Sequence, residues 1–264
     1  MKYFQYWIEE KFKITIDNKT EEIKILTGSN TSKEAAAKDA SIQAQKIEQR
    51  IAERRPKEQY DSAIKEHVSE IIDEANIITI CRYGAKILNT NQYTILDMDD
   101  YPVDFLDLFK SLNKMTKKER IVFKFEQKIQ RLPLLGNDFR IYETTKGIRV
   151  IGKKYIDPTQ KKHSAIMRKL NVDWLYIQLS KKQNCYRARL SPKPYRMRIK
   201  TIKIRTPLDC EQQAYIDWSN EYEQNADNFS VVKLVKTIGK DFSTDPVIKK
   251  HDYICNAHKN HKLA

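Results

Sequence analysis

With 264 residues, of which 40% are hydrophobic and 32% charged, and a formal net charge of +14, the chain can bury a substantial core in one large domain or two smaller ones. These proportions exclude a disordered chain, and no apolar run approaches the roughly 20 residues needed to span a bilayer. The N-terminus turns acidic at Glu9-Glu10, too early for a secretory signal, and Cys81, Cys185, Cys210 and Cys255 have neither zinc nor disulfide spacing, so a cytoplasmic protein with reduced thiols and no membrane partner is expected.

The charge is unevenly placed. Residues 1–100 hold 15 Lys/Arg against 18 Asp/Glu, whereas residues 101–264 hold 34 against 17. Within residues 181–205 there are ten basic residues and no acid, including Arg187, Arg189, Arg196, Arg198 and Arg205. Such a stretch attracts phosphate and makes binding salt-dependent, so the second half is expected to face a polyanion. A Lys-rich chain with many solvated lysines would show a high charge too, but it would not cluster arginines.

Residues 3–16 are rich in aromatic and β-branched residues, Asp17-Asn18-Lys19 supplies a turn, and residues 22–26 can return as a second strand. Ser32 is an N-cap for an Ala-rich helix over 33–51, and the charged stretch 53–59 reads as a linker. The chain is thus divided into a small ββα module, 1–56, and a larger α+β domain with a mixed or antiparallel sheet, 57–264. In the second part the pattern predicts a helix over 62–75, an antiparallel meander at 77–82, 86–88 and 93–97, and helices at 104–112 and 117–131. Strands at 139–144 and 147–152, a helix at 159–170 and a strand at 173–179 follow. Beyond it, Pro207 opens a helix through Tyr222 in which Trp218 and Tyr222 pack as a core pair, residues 231–238 fit strand or helix, and 244–258 reads as a helix capped by Thr244.

Two stretches carry candidate chemistry. Alternation along a strand puts Asp97 and Asp99 on one face about 7 Å apart, a spacing at which carboxylates share a hard divalent cation. Acidic strand ends are also common as solubilising turns, but the apolar lead-in Ile95-Leu96 makes the repulsion costly without a cation. Downstream, Thr144-Thr-Lys-Gly147-Ile-Arg149 places a small-residue turn before a cation able to fork onto phosphate. In Arg187-Ala-Arg189-Leu-Ser-Pro-Lys193-Pro-Tyr195-Arg196, Arg187 and Arg189 share a face. The two prolines favour an extended path, and cations beside an aromatic suit phosphate contact with base stacking along a single strand. An edge strand guarded by charge and proline has the same composition. His251, Cys255 and His258 share a helical face but make an incomplete metal set, so a solvated terminal helix is expected there, and His67 and His163 are read as surface residues.

The order of these motifs, over roughly residues 75–200, resembles the archaeo-eukaryotic primase-polymerase superfamily. In that superfamily a strand ends in Asp-x-Asp, a later hairpin carries Ser/Thr-x-x-Gly-x-His, and a third acid follows on another strand. Asp97 and Asp99 match the first element; Thr144, Gly147 and Arg149 match the second, with Arg149 where the family has its phosphate-contacting His. Asp173 is the best-placed third acid and Asp157 a poorer one. The resemblance implies nucleotidyl transfer with Mg²⁺ or Mn²⁺ held by Asp97, Asp99 and Asp173, a nucleoside triphosphate held by Thr144, Gly147 and Arg149, and nucleic acid followed by Arg187, Arg189, Lys193, Tyr195 and Arg196. The His-to-Arg departure leaves open a degenerate binding protein, and the donor set also suits a metal-dependent nuclease. The stretches Arg82-Tyr83-Gly84, Leu88-Asn89-Thr90 and Arg187–Arg196 also resemble an uncharacterised bacterial protein family, which implies no activity.

Overall fold

The computed structural model describes residues 1–16, 19–56, 63–101 and 111–264. The fold is α+β, as the alternation of short strands and amphipathic helices predicts. Strands β1 (Tyr6–Ile16) and β2 (Lys19–Ser29) form a long antiparallel hairpin in register from Tyr6↔Ser29 to Ile16↔Lys19. Helix α1 (Lys33–Ala52) starts at Ser32, whose hydroxyl accepts from the Ala35 N–H at 3.1 Å. Its buried Ala36, Ala40 and Ala44 recur every fourth residue, a small-residue face that lets the helix lie close on the hairpin against Ile8, Phe12, Ile23 and Ile25.

The larger part begins with β3 (His67–Asp73), β4 (Asn76–Ile80) and β5 (Lys86–Thr90), joined antiparallel. The expected helix over 62–75 is corrected here. Asp73 closes a tight turn by accepting from the Ala75 N–H at 2.8 Å, and pairing with β4 overrides the helical spacing of the apolar residues. Next come β6 (Thr94–Met98), α2 (Lys117–Ile129), β7 (Phe139–Thr144), β8 (Ile148–Gly152), α3 (Lys161–Lys169), α4 (Trp174–Gln183) and β9 (Tyr186–Arg189). Most of the helix predicted over 104–112 lies outside the described residues. The strand expected at 173–179 is instead α4, capped by Asp173 at its start and ended by Asn184 in the left-handed region, φ 49°. The chain closes with α5 (Gln213–Ala226), β10 (Phe229–Ser230), β11 (Val232–Ile238), α6 (Pro246–Ile254) and β12 (Lys262–Leu263). Trp218 and Tyr222 stack at 4.7 Å, as their spacing predicts. At α6 it is Asp245, not Thr244, that occupies the N-cap position, ahead of Pro246.

Besides the β1-β2 hairpin and a short parallel pair, β10-β12, the described strands form two four-stranded sheets, ordered β3-β4-β5-β9 and β11-β7-β8-β6. The meander predicted through residue 97 therefore breaks after β5. β9 takes the free edge of β5, and β6 pairs with β8 in the second sheet. One apolar core serves both, with Ile78, Leu88 and Ala188 from the first sheet and Ile95, Leu96, Ile141 and Val150 from the second. Among the described residues no helix is long and apolar enough to cross a membrane, and the four cysteines are buried and free.

Candidate active site

The second sheet aligns one row of residues across three strands: Asp97 on β6 opposite Arg149 on β8, and Arg149 opposite Tyr142 on β7. Directly opposed residues share a face of the sheet, so Asp97, Arg149 and Tyr142 stand side by side. Arg149 Nε donates to Asp97 Oδ1 at 3.1 Å, and Nη1 donates to the Arg189 carbonyl at 2.9 Å. Nη2 has no partner among the described residues and is not a buried orphan, which leaves it to the cleft that Arg149 lines. Arg149 is only 3% exposed, so the freely projecting cation expected from the sequence is instead a buried one. Burial opposes its charge, but Asp97, together with Cys255 and Tyr176, outweighs that and raises its pKa.

Gly147 is required by space. A Cβ there would stand 2.1 Å from the Met98 carbonyl oxygen and 2.7 Å from the Asp99 Cα, so only glycine lets the β7–β8 turn close on the strand end that carries Asp99. Thr144 fixes the same turn: its Oγ1 accepts from the Gly147 N–H at 3.0 Å, and its own N–H donates to the Gly147 carbonyl at 2.9 Å. Asp99 itself is exposed and makes no hydrogen bond or ion pair among the described residues.

Around these residues lies a cleft of about 300 Å³. It brings together Asp97, Asp99, Thr144, Arg149, Asp173, Arg189, Lys193 and Arg196, all of them singled out from the sequence, and adds Lys146, Tyr83 and Tyr176, which were not. Three predicted residues, Gly147, Tyr195 and Arg187, do not line it. Tyr195 is 61% exposed beside the cleft, with the Arg196 guanidinium 5.8 Å from its ring. Arg187 faces a neighbouring groove of about 790 Å³, where its Nη2 donates to Glu66 Oε2 at 2.5 Å. Arg187 and Arg189 do share a face of β9, as alternation requires. The proline-held path is only partly extended, because Pro194–Met197 winds into a 3-10 turn that ends at Arg198 with φ 63°. That turn carries Arg196 back over the hairpin, where its Nη1 donates to Thr145 Oγ1 at 2.8 Å.

The cations crowd one another. The pKa of Arg189 is lowered by burial and by Arg149 and Arg196; that of Lys193 is lowered by burial and then by Arg189. An anion in the cleft would relieve both repulsions. Asp173, by contrast, is not a strand-end acid. Its Oδ1 caps α4 by accepting from the Tyr176 N–H at 2.8 Å, while the residue also lines the cleft. Among the described residues no three His, Cys, Asp or Glu side chains are grouped to hold a metal. Asp97 and Asp99 remain as two adjacent carboxylates whose Asp97 Oδ2 and both Asp99 oxygens make no hydrogen bond among the described residues. Two carboxylates fit Mg²⁺ or Mn²⁺ arriving with a phosphate that completes the coordination, and do not fit an all-protein cage.

The expected solvated terminal helix is corrected too. Helix α6 buries Val247, Ile248, His251 and Asp252 on one face, and His251 is 1% exposed behind Arg149. The spacing of those residues with Cys255 was the available signal, masked by the charged residues between them. His163, read as a surface residue, is also 1% exposed. No protein-family model, curated protein or solved structure matches the chain.

Proposed function

We propose that the chain is a nucleic-acid-associated nucleotidyltransferase of the primase-polymerase kind, binding a nucleoside triphosphate in the cleft between β6 and the β9 sheet. The observation that carries this reading is the convergence on one cleft of two carboxylates from residues 97–99 and five cations, Lys146, Arg149, Arg189, Lys193 and Arg196, from two distant segments. Acid beside clustered base is the pattern that holds a metal-bound polyphosphate. A divalent cation at Asp97 and Asp99 would neutralise the phosphates and polarise the bond to be broken. Arg149, held from behind, offers Nη2 to a phosphate oxygen; Lys193 and Arg196 supply further positive charge from the opposite wall. The adjoining groove shares Tyr83, Asp97, Tyr176 and Arg189 with the cleft and leaves room for a strand next to the nucleotide.

The test is calorimetric titration of Mn²⁺ in the presence of a nucleoside triphosphate, on the wild type and on Asp99→Asn. Asp99 has no partner to lose among the described residues, so its substitution isolates the ligand role. Binding to the wild type that disappears in the variant supports the site; no heat in either sinks it. A primer-extension assay then separates the chemistry. Binding without incorporation favours a non-catalytic clamp, the reading suggested by the Arg149–Asp97 ion pair, which occupies one metal-facing oxygen. Strand scission without added nucleotide favours a nuclease.

A further inference from the structure

Arg149 is held from the rear by α6. His251 Nε2 lies 3.5 Å from Arg149 Nη1, and His251 Nδ1 lies 2.8 Å from Asp252 Oδ1. Burial and the adjoining guanidinium disfavour charge on this imidazole, whereas Cys255 and the hydrogen bond to Asp252 favour it and carry its pKa up to about 9. The geometry toward Arg149 fits a ring whose Nδ1–H donates to Asp252 and whose Nε2 lone pair faces the guanidinium; an N–H in that place would confront another N–H. The ring also packs edge-on against Tyr142 at 5.1 Å, the same Tyr142 that pairs with Arg149 across the sheet.

Asp252 is fixed in turn. Arg140 Nη2 donates to its Oδ2 at 2.8 Å, Arg140 Nη1 reaches Asp241 Oδ1 at 2.5 Å, and His258 Nε2 lies 3.3 Å from Asp252 Oδ2. Asp241, Arg140, Asp252, His251, Arg149 and Asp97 thus form one chain of contacts that ends at the cleft, with Arg140, His251 and Arg149 almost wholly buried.

We infer that His251, oriented by Asp252, is a positioning residue for Arg149: it holds the guanidinium with Nε on Asp97 and Nη2 toward the cleft. A flexible arginine needs such a support, because each of its torsions must be fixed before one nitrogen can meet a phosphate oxygen in a defined place. The inference rests on the functional reading only for the ligand; the brace itself is a property of the free protein.

Two measurements on the full chain test it. In the free protein, the Arg149 Nε–H, buried and bonded to Asp97, should exchange slowly with solvent by NMR, and His251→Phe, which keeps the contact with Tyr142, should speed that exchange about tenfold or more. In the second, inorganic triphosphate with Mn²⁺ is titrated calorimetrically. His251→Phe should weaken binding about tenfold, His251→Gln, which can still present an acceptor, should recover part of it, and His251→Phe should cause little further loss in an Arg149→Lys background. Unchanged Nε–H exchange in His251→Phe overturns the inference, as does full additivity of the two losses. If the wild type binds no triphosphate, the functional reading fails and the exchange measurement alone decides the brace. Should His251→Phe not fold, the exchange comparison is made on Asp252→Asn, where the same acceleration is expected and its absence is equally adverse.

Discussion

Replacing His163 with phenylalanine should remove an acid sensitivity built into the core. His163 lies on α3, 1% exposed, with neither ring nitrogen partnered among the described residues and its ring 5.7 Å from that of Tyr186. Burial pushes its pKa down to about 4, against a weaker opposite pull from Asp157. The folded state therefore resists a proton that the unfolded chain accepts near pH 6.5. The stability contribution is intact above pH 6.5 and is lost as the pH falls from there toward 4. A displacement of about 2.5 pKa units makes the cost of going from pH 7 to pH 5 about 2 kcal/mol. Phenylalanine keeps the edge-on contact with Tyr186 and has nothing to protonate. Urea unfolding of both proteins at pH 7 and pH 5 checks this: the wild type should lose about 2 kcal/mol more than His163→Phe over that interval, with unchanged dependence on urea. The other histidines titrate alike in both proteins and cancel. Equal losses would refute the assignment of a buried, neutral His163.

Gly147→Ala should destabilise by roughly 1–3 kcal/mol, because its Cβ meets the Met98 carbonyl, and should weaken Mn²⁺-nucleotide binding as Asp99 is pushed aside; thermal melting and calorimetry read the two effects. Arg140→Met leaves Asp252 without its buried cation and should cost about 3–5 kcal/mol in chemical denaturation, the penalty of breaking a buried pair. Lys193→Gln or Arg196→Gln should each lower the slope of log affinity for single-stranded nucleic acid against log salt by about one, whereas Arg187→Gln, already paired with Glu66, should lower stability and leave that slope alone.

The centre of the site could be read in the sequence because its grammar is local. Asp97 lies on β6 and Asp99 one residue past its end, both lining the cleft, and the Thr144–Gly147 turn needs no distant partner to form. The errors fall where a distant partner decided. Residues 64, 68, 71, 72 and 75 carry helical spacing, yet pairing with β4 draws the segment into β3. Trp174-Leu-Tyr-Ile reads as a strand, although Asp173 at its start and Asn184 past its end were helix caps in plain view. The pairing of Arg187 with Glu66 and the place of His251 behind Arg149 join residues more than 100 apart, and no spacing rule spans that distance.

The break of the strand run after β5 bears on how the chain is made. Ile87 and Leu88 pair with Arg189 and Ala188, about 100 residues later, and β6 waits about 50 residues for β8. At ribosomal rates of roughly 5–20 residues per second, the β5 edge stays open for about 5–20 s after its own synthesis. An apolar edge left unpaired for that long is a site for pairing with a neighbouring nascent chain. Expression should therefore be limited by aggregation during synthesis rather than by the stability of the finished fold, and slower, cooler growth or a chaperone covering that edge should raise soluble yield without changing the melting temperature.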